Sequence, residues 1–269
     1  MTSEHSIFRH PLWVRITHWV NVICMTGLLM SGLQIFNAHP ALYWGDRSQF
    51  DDPLLAIGAD EDARGNATGV TTILGHRFET TGLLGVSGDA ADARAFPDWA
   101  TLPGTLWLAM GRRWHFFFAW IFVVNAAVYG ISTIAGRHFR RDLMPSRADL
   151  AHIGRSLRDH LRLRFPKGEE ARRYNVLQKL AYLLVVFVLG PLVILAGLAM
   201  SPRLDAGYPV LLHVFGGRQS ARTIHFICAF SFLGFVLVHV AMVLVSGVWN
   251  NLRSMITGWY DLGGGDGRT

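Results

Sequence analysis

Residues 222–249 read Arg222-Thr-Ile-His225-Phe-Ile-Cys-Ala-Phe-Ser-Phe-Leu-Gly-Phe-Val-Leu-Val-His239-Val-Ala-Met-Val-Leu-Val-Ser-Gly-Val-Trp249. About two dozen residues after Arg222 carry no formal charge, enough for a helix to cross a hydrocarbon layer of ~30 Å. The stretch nevertheless holds two histidines, fourteen residues apart. At about 100° per residue both rings leave the helix on one face, within about 40° of each other. At ~1.5 Å per residue they stand about 21 Å apart along the axis. One helix thus offers an imidazole near each surface of a membrane. Imidazole is a common axial ligand of haem iron. An intramembrane histidine can also simply bond to a neighbouring helix. The choice depends on whether other spans carry matching histidines.

The whole composition agrees with a membrane setting. The 269 residues are 51% apolar and only 16% charged, against about 25% charged in soluble domains. Mean hydropathy is positive and the pI is near 9.8. The basic charge is concentrated in one loop, which favours a topological cause over nucleic-acid binding. Cys24 and Cys228 both lie in apolar segments and read as small packing residues. No Cys-x-x-Cys or Cys-x-x-Cys-His is present, which excludes a thiolate cluster framework and covalent c-type haem. Any haem must be held by side-chain ligands and packing.

Four spans are expected, at about 14–36, 114–134, 176–200 and 222–248. The first exceeds twenty residues and no Ala-x-Ala site follows it, so it reads as a retained helix rather than a signal peptide. His18 lies in its first turns, with Arg15 one turn before and Asn21 about one turn after. Asn21 is a candidate polar contact in the bundle. Gly27 and Ser31 form a small-xxx-small pair, where a second helix or a flat macrocycle can approach. The second span is preceded by Arg112-Arg113, has His115 at its start and carries Asn125 as its other polar residue. The third has no histidine. Gly190-Pro191 should kink it, and Gly197 should allow close packing. The expected fold is an all-α integral membrane protein, a four-transmembrane-helix bundle forming one domain over residues 1–269.

Two loops differ in character. Residues 37–104 contain ten acidic and four basic residues, with Gly-rich turns and possible short strands at Thr71–Leu74 and Leu83–Val86. Tyr43, Trp44, Trp99 and Trp107 flank the apolar segments as an interfacial aromatic belt would. A loop of this length is usually functional or a docking surface. Residues 136–174 contain eleven basic and five acidic residues. The positive-inside rule places this loop in the cytoplasm. Within it, 146–165 reads as an amphipathic helix, with Ser146 and Asp149 as a capping pair. Leu150, Ile153, Leu157 and Leu161 share one face opposite arginines, suited to a lipid surface or to a docked partner. Four spans then put both termini in the cytoplasm, and the 37–104 loop and the 201–221 connection in the periplasm. His213, in the second connection, reads as an interfacial surface residue.

Depth now pairs the histidines. His115 and His225 open their spans on the periplasmic side, whereas His18 and His239 lie toward the cytoplasm. Two bis-histidine sites result, and the other eight of the twelve histidines fall in loops or termini. The pattern suits two non-covalent b-type haems, with iron held by His18, His115, His225 and His239. Arg112, Arg113 and Arg222 sit where they can pair with propionates of one haem, and Arg15 where it can serve the other. Ordinary snorkelling accounts for the same arginines equally well.

With these motifs the sequence resembles the bacterial di-haem cytochrome b membrane subunits of formate dehydrogenases, nickel–iron hydrogenases and thiosulfate reductases, which are related to bacterial cytochrome b-561. The matching residues are Arg15-Ile-Thr-His18-Trp19, Arg113-Trp-His115-Phe116, Arg222-Thr-Ile-His225 and His239. Gly32-Leu-Gln-Ile-Phe-Asn37 and Gly111-Arg-Arg-Trp-His-Phe-Phe117 are most similar to the thiosulfate-reductase-like branch. The long 37–104 loop departs from the hydrogenase and formate dehydrogenase pattern. The resemblance implies an inner-membrane wire between the quinone pool and a periplasmic redox subunit of the molybdopterin class, with quinone beside the cytoplasmic haem and Asn21 as a contact. Two alternatives stand beside it. One is a self-standing quinone-linked b-type oxidoreductase, and the other a non-redox metal-binding membrane protein. The four spans contain no carboxylate, which disfavours an ion transporter.

Overall fold

The computed structural model describes residues 6–87, 93–135, 144–146, 153–161 and 176–261. In chain order the elements are β1 (Ser6–Phe8), α1 (Leu12–Asn37), β2 (Ala41–Leu42), β3 (Leu55–Glu61), β4 (Ala67–Ile73), β5 (His76–Glu79), β6 (Gly85–Val86) and β7 (Ala93–Arg94). They continue with α2 (Leu108–Ala135), α3 (Ile153–Leu161), α4 (Val176–Ala199), α5 (Pro202–Gly207), α6 (Val210–Phe215), α7 (Arg218–Val245), α8 (Val248–Thr257) and β8 (Trp259–Asp261). Among the described residues four helices, α1, α2, α4 and α7, are long and apolar enough to cross a membrane. Each satisfies its own backbone hydrogen bonds, as a lipid-facing segment must. Ile23, Trp120, Ile131, Leu237 and Val238 project from them exposed. So much apolar side-chain surface suits lipid as the neighbour rather than water.

The helices differ in detail from the sequence expectations. α2 begins at Leu108, six residues before the expected start, so His115 lies two turns inside it. α4 continues through Gly190-Pro191, the position of the expected kink. It widens into a π-helical segment, Val185–Leu189, and the Gly190 N–H bonds to the Val185 carbonyl. Proline has no N–H and crowds the carbonyl four residues back, and the wider turn accommodates both. α7 stops at Val245, because Gly247 adopts φ +109 and turns the chain into α8. In the basic loop, Ile153–Leu161 is helical and Ile153 and Leu157 are exposed. Asp149, Leu150 and most of the remaining 136–174 segment lie outside the described residues.

The chain divides into two compact units. One consists of Asn21–Val123 and Leu192–Ala229. Here the 37–104 connection is a folded β module. Its main sheet has the order β2-β3-β4-β5, antiparallel throughout, and β6 pairs with β7. The β3–β4 hairpin closes around Asp62, whose carboxylate accepts the backbone N–H groups of Arg64 and Asn66, each at 2.8 Å. The Asn66 side-chain amide, which donates to the other carboxylate oxygen at 2.9 Å, and these two N–H groups hold the Asp62 carboxyl below the usual carboxylate range. The β4–β5 hairpin turns through Leu74 and Gly75, both at positive φ, as a two-residue hairpin of primed type requires. Leu74, expected in the strand, is therefore a turn residue.

The same unit ties the β module to the start of α7. The Gly45 carbonyl accepts the N–H groups of Gln219 and Ser220, which have no partner within the helix. The Gly45 N–H donates to Ser220 Oγ at 2.7 Å, and Thr223 Oγ1 donates to the Tyr43 carbonyl at 2.6 Å. Arg222 donates to the His39 carbonyl, and its guanidinium lies over Phe36. Asn37, the last residue of α1, exchanges two hydrogen bonds with the backbone of Phe96. Tyr43 is therefore buried and stacks on His39, instead of joining an aromatic belt, whereas Trp44, Trp99 and Trp107 are exposed.

The other unit consists of Met1–Val20, Val124–Pro191 and Phe230–Thr269. β1 pairs antiparallel with β8, and Arg9 lies over the Tyr260 ring. Asn125 is buried and donates to the Thr17 carbonyl at 2.9 Å, bridging α1 and α2. α8 receives two donors from α1, Arg15 to the Ile256 carbonyl and Trp19 Nε1 to the Met255 carbonyl.

Candidate functional site

The first unit brings His115 of α2 and His225 of α7 together, with ring centres 6.1 Å apart. Small residues clear the space. A Cβ at Gly32 would stand 3.4 Å from His115 Cε1, and one at Gly197 only 3.2 Å from His225 Cε1. Gly27 gives the same room to the Phe118 ring, which a Cβ there would overlap. The His225 Nδ1 lies 2.8 Å from the Val193 carbonyl. A carbonyl only accepts, so Nδ1 carries the proton and Nε2 keeps its lone pair. The second ring is fixed in the same sense, since Ser31 Oγ lies 3.1 Å from His115 Nδ1 and 2.5 Å from the Gly27 carbonyl.

The second unit brings His18 of α1 and His239 of α7 together, with ring centres 6.4 Å apart. His239 stacks on Phe235, and His18 meets Trp19 edge-on. The His18 Nδ1 is buried and, among the described residues, without a hydrogen-bond partner.

Both pairs fit a haem. An imidazole nitrogen binds a transition-metal ion at about 2 Å, so two rings on opposite sides of one ion have centres roughly 6 Å apart. Among the described residues no group of three or more His, Cys, Asp or Glu could hold a metal ion. Each pair would offer two imidazole nitrogens, a set that suits an iron whose remaining ligands come from a macrocycle. A bare zinc or copper ion usually takes three or four protein ligands.

The remaining candidates take varied positions. Arg112 and Arg113 are exposed, and Arg112 lies over the Phe116 ring. Arg222 and Arg15 each spend one donor on a carbonyl. A guanidinium has five N–H donors, so neither bond exhausts its capacity for an anion. Asn21 is half-buried on α1, and His213 is exposed on α6. Ser31, Gly32 and the Val193 carbonyl are the contacts that the sequence reading missed. The Gly27-xxx-Ser31 spacing marked the right face of α1, but the hydroxyl contact to His115 needs the helix-to-helix register.

The profile of the prokaryotic cytochrome b561 family matches residues 9–258. The chain belongs to that family. It is an integral membrane protein that binds b-type haem and serves as a membrane electron-transfer subunit. This cytochrome b561 is also 27% identical over 249 residues to the putative protein-methionine-sulfoxide reductase subunit YedZ1 of Azospira oryzae. That similarity covers 93% of this chain and 96% of the relative.

Proposed function

We propose that this cytochrome b561 carries two b-type haems, one held by His115 and His225 and the other by His18 and His239. The observation that carries this reading is the pair of ring separations, 6.1 and 6.4 Å, each in its own unit. When bound, haem supplies reversible one-electron storage at iron. The chain's own residues would supply imidazole nitrogens to the iron, with the Nδ1 contacts of His115 and His225 setting the tautomer of those two rings. Arg112, Arg113 and Arg222 pair with propionates of the first haem and Arg15 with those of the second.

The two sites form a path across the inner membrane. Quinone is the redox partner at the cytoplasmic haem, beside Asn21, and a periplasmic catalytic subunit of the molybdopterin class is the partner at the other. The relative's name, that of a reductase subunit, supports an electron-delivering role for this chain. Eleven basic residues in 136–174 against four in 37–104 support a cytoplasmic basic loop and cytoplasmic termini. The same arrangement lays α3 on the cytoplasmic lipid surface.

Purified protein is expected to show reduced b-type bands and two haems per chain in a pyridine haemochrome assay. A folded, colourless preparation would sink the proposal. Reporter fusions test the orientation separately. A reporter within 147–165 is expected to register cytoplasm, and one within 60–70 periplasm; the reverse pattern exchanges the sides assigned to the two haems.

A further inference from the structure

The two histidine pairs differ in what holds the outer nitrogen of their rings, and the difference is clearest at Ser31. This residue is fully buried on α1, one turn after Gly27 and next to Gly32, which faces the His115 ring. Its hydroxyl lies 2.5 Å from the Gly27 carbonyl, 3.3 Å from the Leu28 carbonyl and 3.1 Å from His115 Nδ1. Carbonyls donate nothing, and the hydroxyl has a single hydrogen. The short contact to Gly27 takes that hydrogen. Toward His115 the oxygen can then only accept, so the proton on Nδ1 is donated to Ser31. His115 Nε2 is left with the lone pair that a metal needs.

Resting on the ligand assignment above, we infer that Ser31 is a positioning residue for the His115 ligand, orienting its ring and lowering the reduction potential of the haem it binds. Accepting a hydrogen bond from Nδ1–H makes the imidazole a more basic ligand and favours the oxidised iron. The His18 ring lacks this support, since its buried Nδ1 has no partner among the described residues. The haem of His18 and His239 therefore serves as an internal control in the same molecule.

The test is a redox titration of the full-length, haem-loaded protein, with the two haems resolved optically. Ser31→Ala removes the hydroxyl that accepts from His115 Nδ1. It is expected to retain both haems and to raise the reduced-to-oxidised ratio of the His115 haem about two- to tenfold at fixed ambient potential, where tenfold is 59 mV for one electron. The other haem should not move. Ser31→Thr keeps the hydroxyl and should titrate as wild type. Unchanged potentials in the alanine protein, or equal shifts in both haems, overturn the inference. If alanine releases the His115 haem altogether, threonine decides. Restored haem supports the hydroxyl's role, and haem still missing refutes it. His115→Ala, run in parallel, separates this inference from the ligand reading. If it removes no haem, the ligand assignment fails and Ser31 has no haem to tune, whereas a lost haem with an unmoved Ser31→Ala potential refutes the tuning alone.

Discussion

His115→Ala and His225→Ala are each expected to cut the haem content of the purified protein roughly in half and to remove the same haem. His18→Ala and His239→Ala should each remove the other. The rings of a pair stand 6.1 or 6.4 Å apart, and among the described residues no third His, Cys, Asp or Glu joins either group. No nearby side chain of these types can therefore replace a lost ligand. Removing a hydrogen bond to a ligand alone typically costs metal sites about 10–100-fold in affinity, so losing the ligand itself should exceed about 100-fold. Double variants sharpen the test. His115→Ala with His225→Ala should still hold one haem, whereas His115→Ala with His18→Ala should hold none. The surviving haem in each single variant reports that the chain has folded. Loss of different haems by the two members of one pair would overturn the pairing, and electron transfer from quinol to the partner should stop in all four single variants.

The spans and the histidine partners were legible because hydropathy and helical period are local signals. Fourteen residues on one helix fix which face His225 and His239 share, and the charge bias of the loops orders the spans. What failed was local chemistry at the ends. Arg112-Arg113 read as the edge of the second span, yet α2 runs back to Leu108, because arginines in early helical turns can extend their stems along the helix and keep the charge in water. The end of the fourth span was placed at 248, although the backbone turns at Gly247 and α8 begins there. Apolar residues continue through both helices, so hydropathy saw no boundary.

The β module was barely legible at all. Its strands run from two to seven residues, and their partners are fixed by register rather than by apolar runs. Glycine-rich stretches that suggested turns include Gly69 and Gly85, which let backbones approach one another closely. A Cβ at Gly69 would run into the Leu84 carbonyl. Tyr43 shows the same limit from another side. An aromatic residue just beyond a span reads as an interfacial anchor, but here it stacks on His39 and its carbonyl receives Thr223. The hydrogen bond from His115 to Ser31 spans 84 positions of sequence, and no periodicity within α1 announces it.

The second large effect is expected from the β module. Replacing residues 55–95 with a short Gly/Ser linker should leave both haems and their spectra intact. The contacts that cap α7 come from His39, Tyr43, Gly45 and Ser48, all outside the deleted segment, and Asn37 and Phe96 survive to close the end of α1. The deletion removes β3 through β7, including the exposed apolar side chains of Leu74, Phe78 and Leu83. Exposed apolar groups on a sheet strand and its turns are the kind of surface that a protein partner buries, and the module is fixed to the helix that carries His225. On the proposed orientation the module flanks the approach of the periplasmic subunit to the His115–His225 haem. Truncation should therefore weaken co-purification of that subunit by well over about tenfold, more than about 1.4 kcal/mol, while quinol still reduces both haems. Electron transfer to the subunit should fall with its binding. If the truncated protein delivers electrons to its native partner at the wild-type rate, the module does not dock it. A truncated protein that instead reduces a small periplasmic oxidant at the wild-type rate, with no subunit bound, would favour a self-standing oxidoreductase.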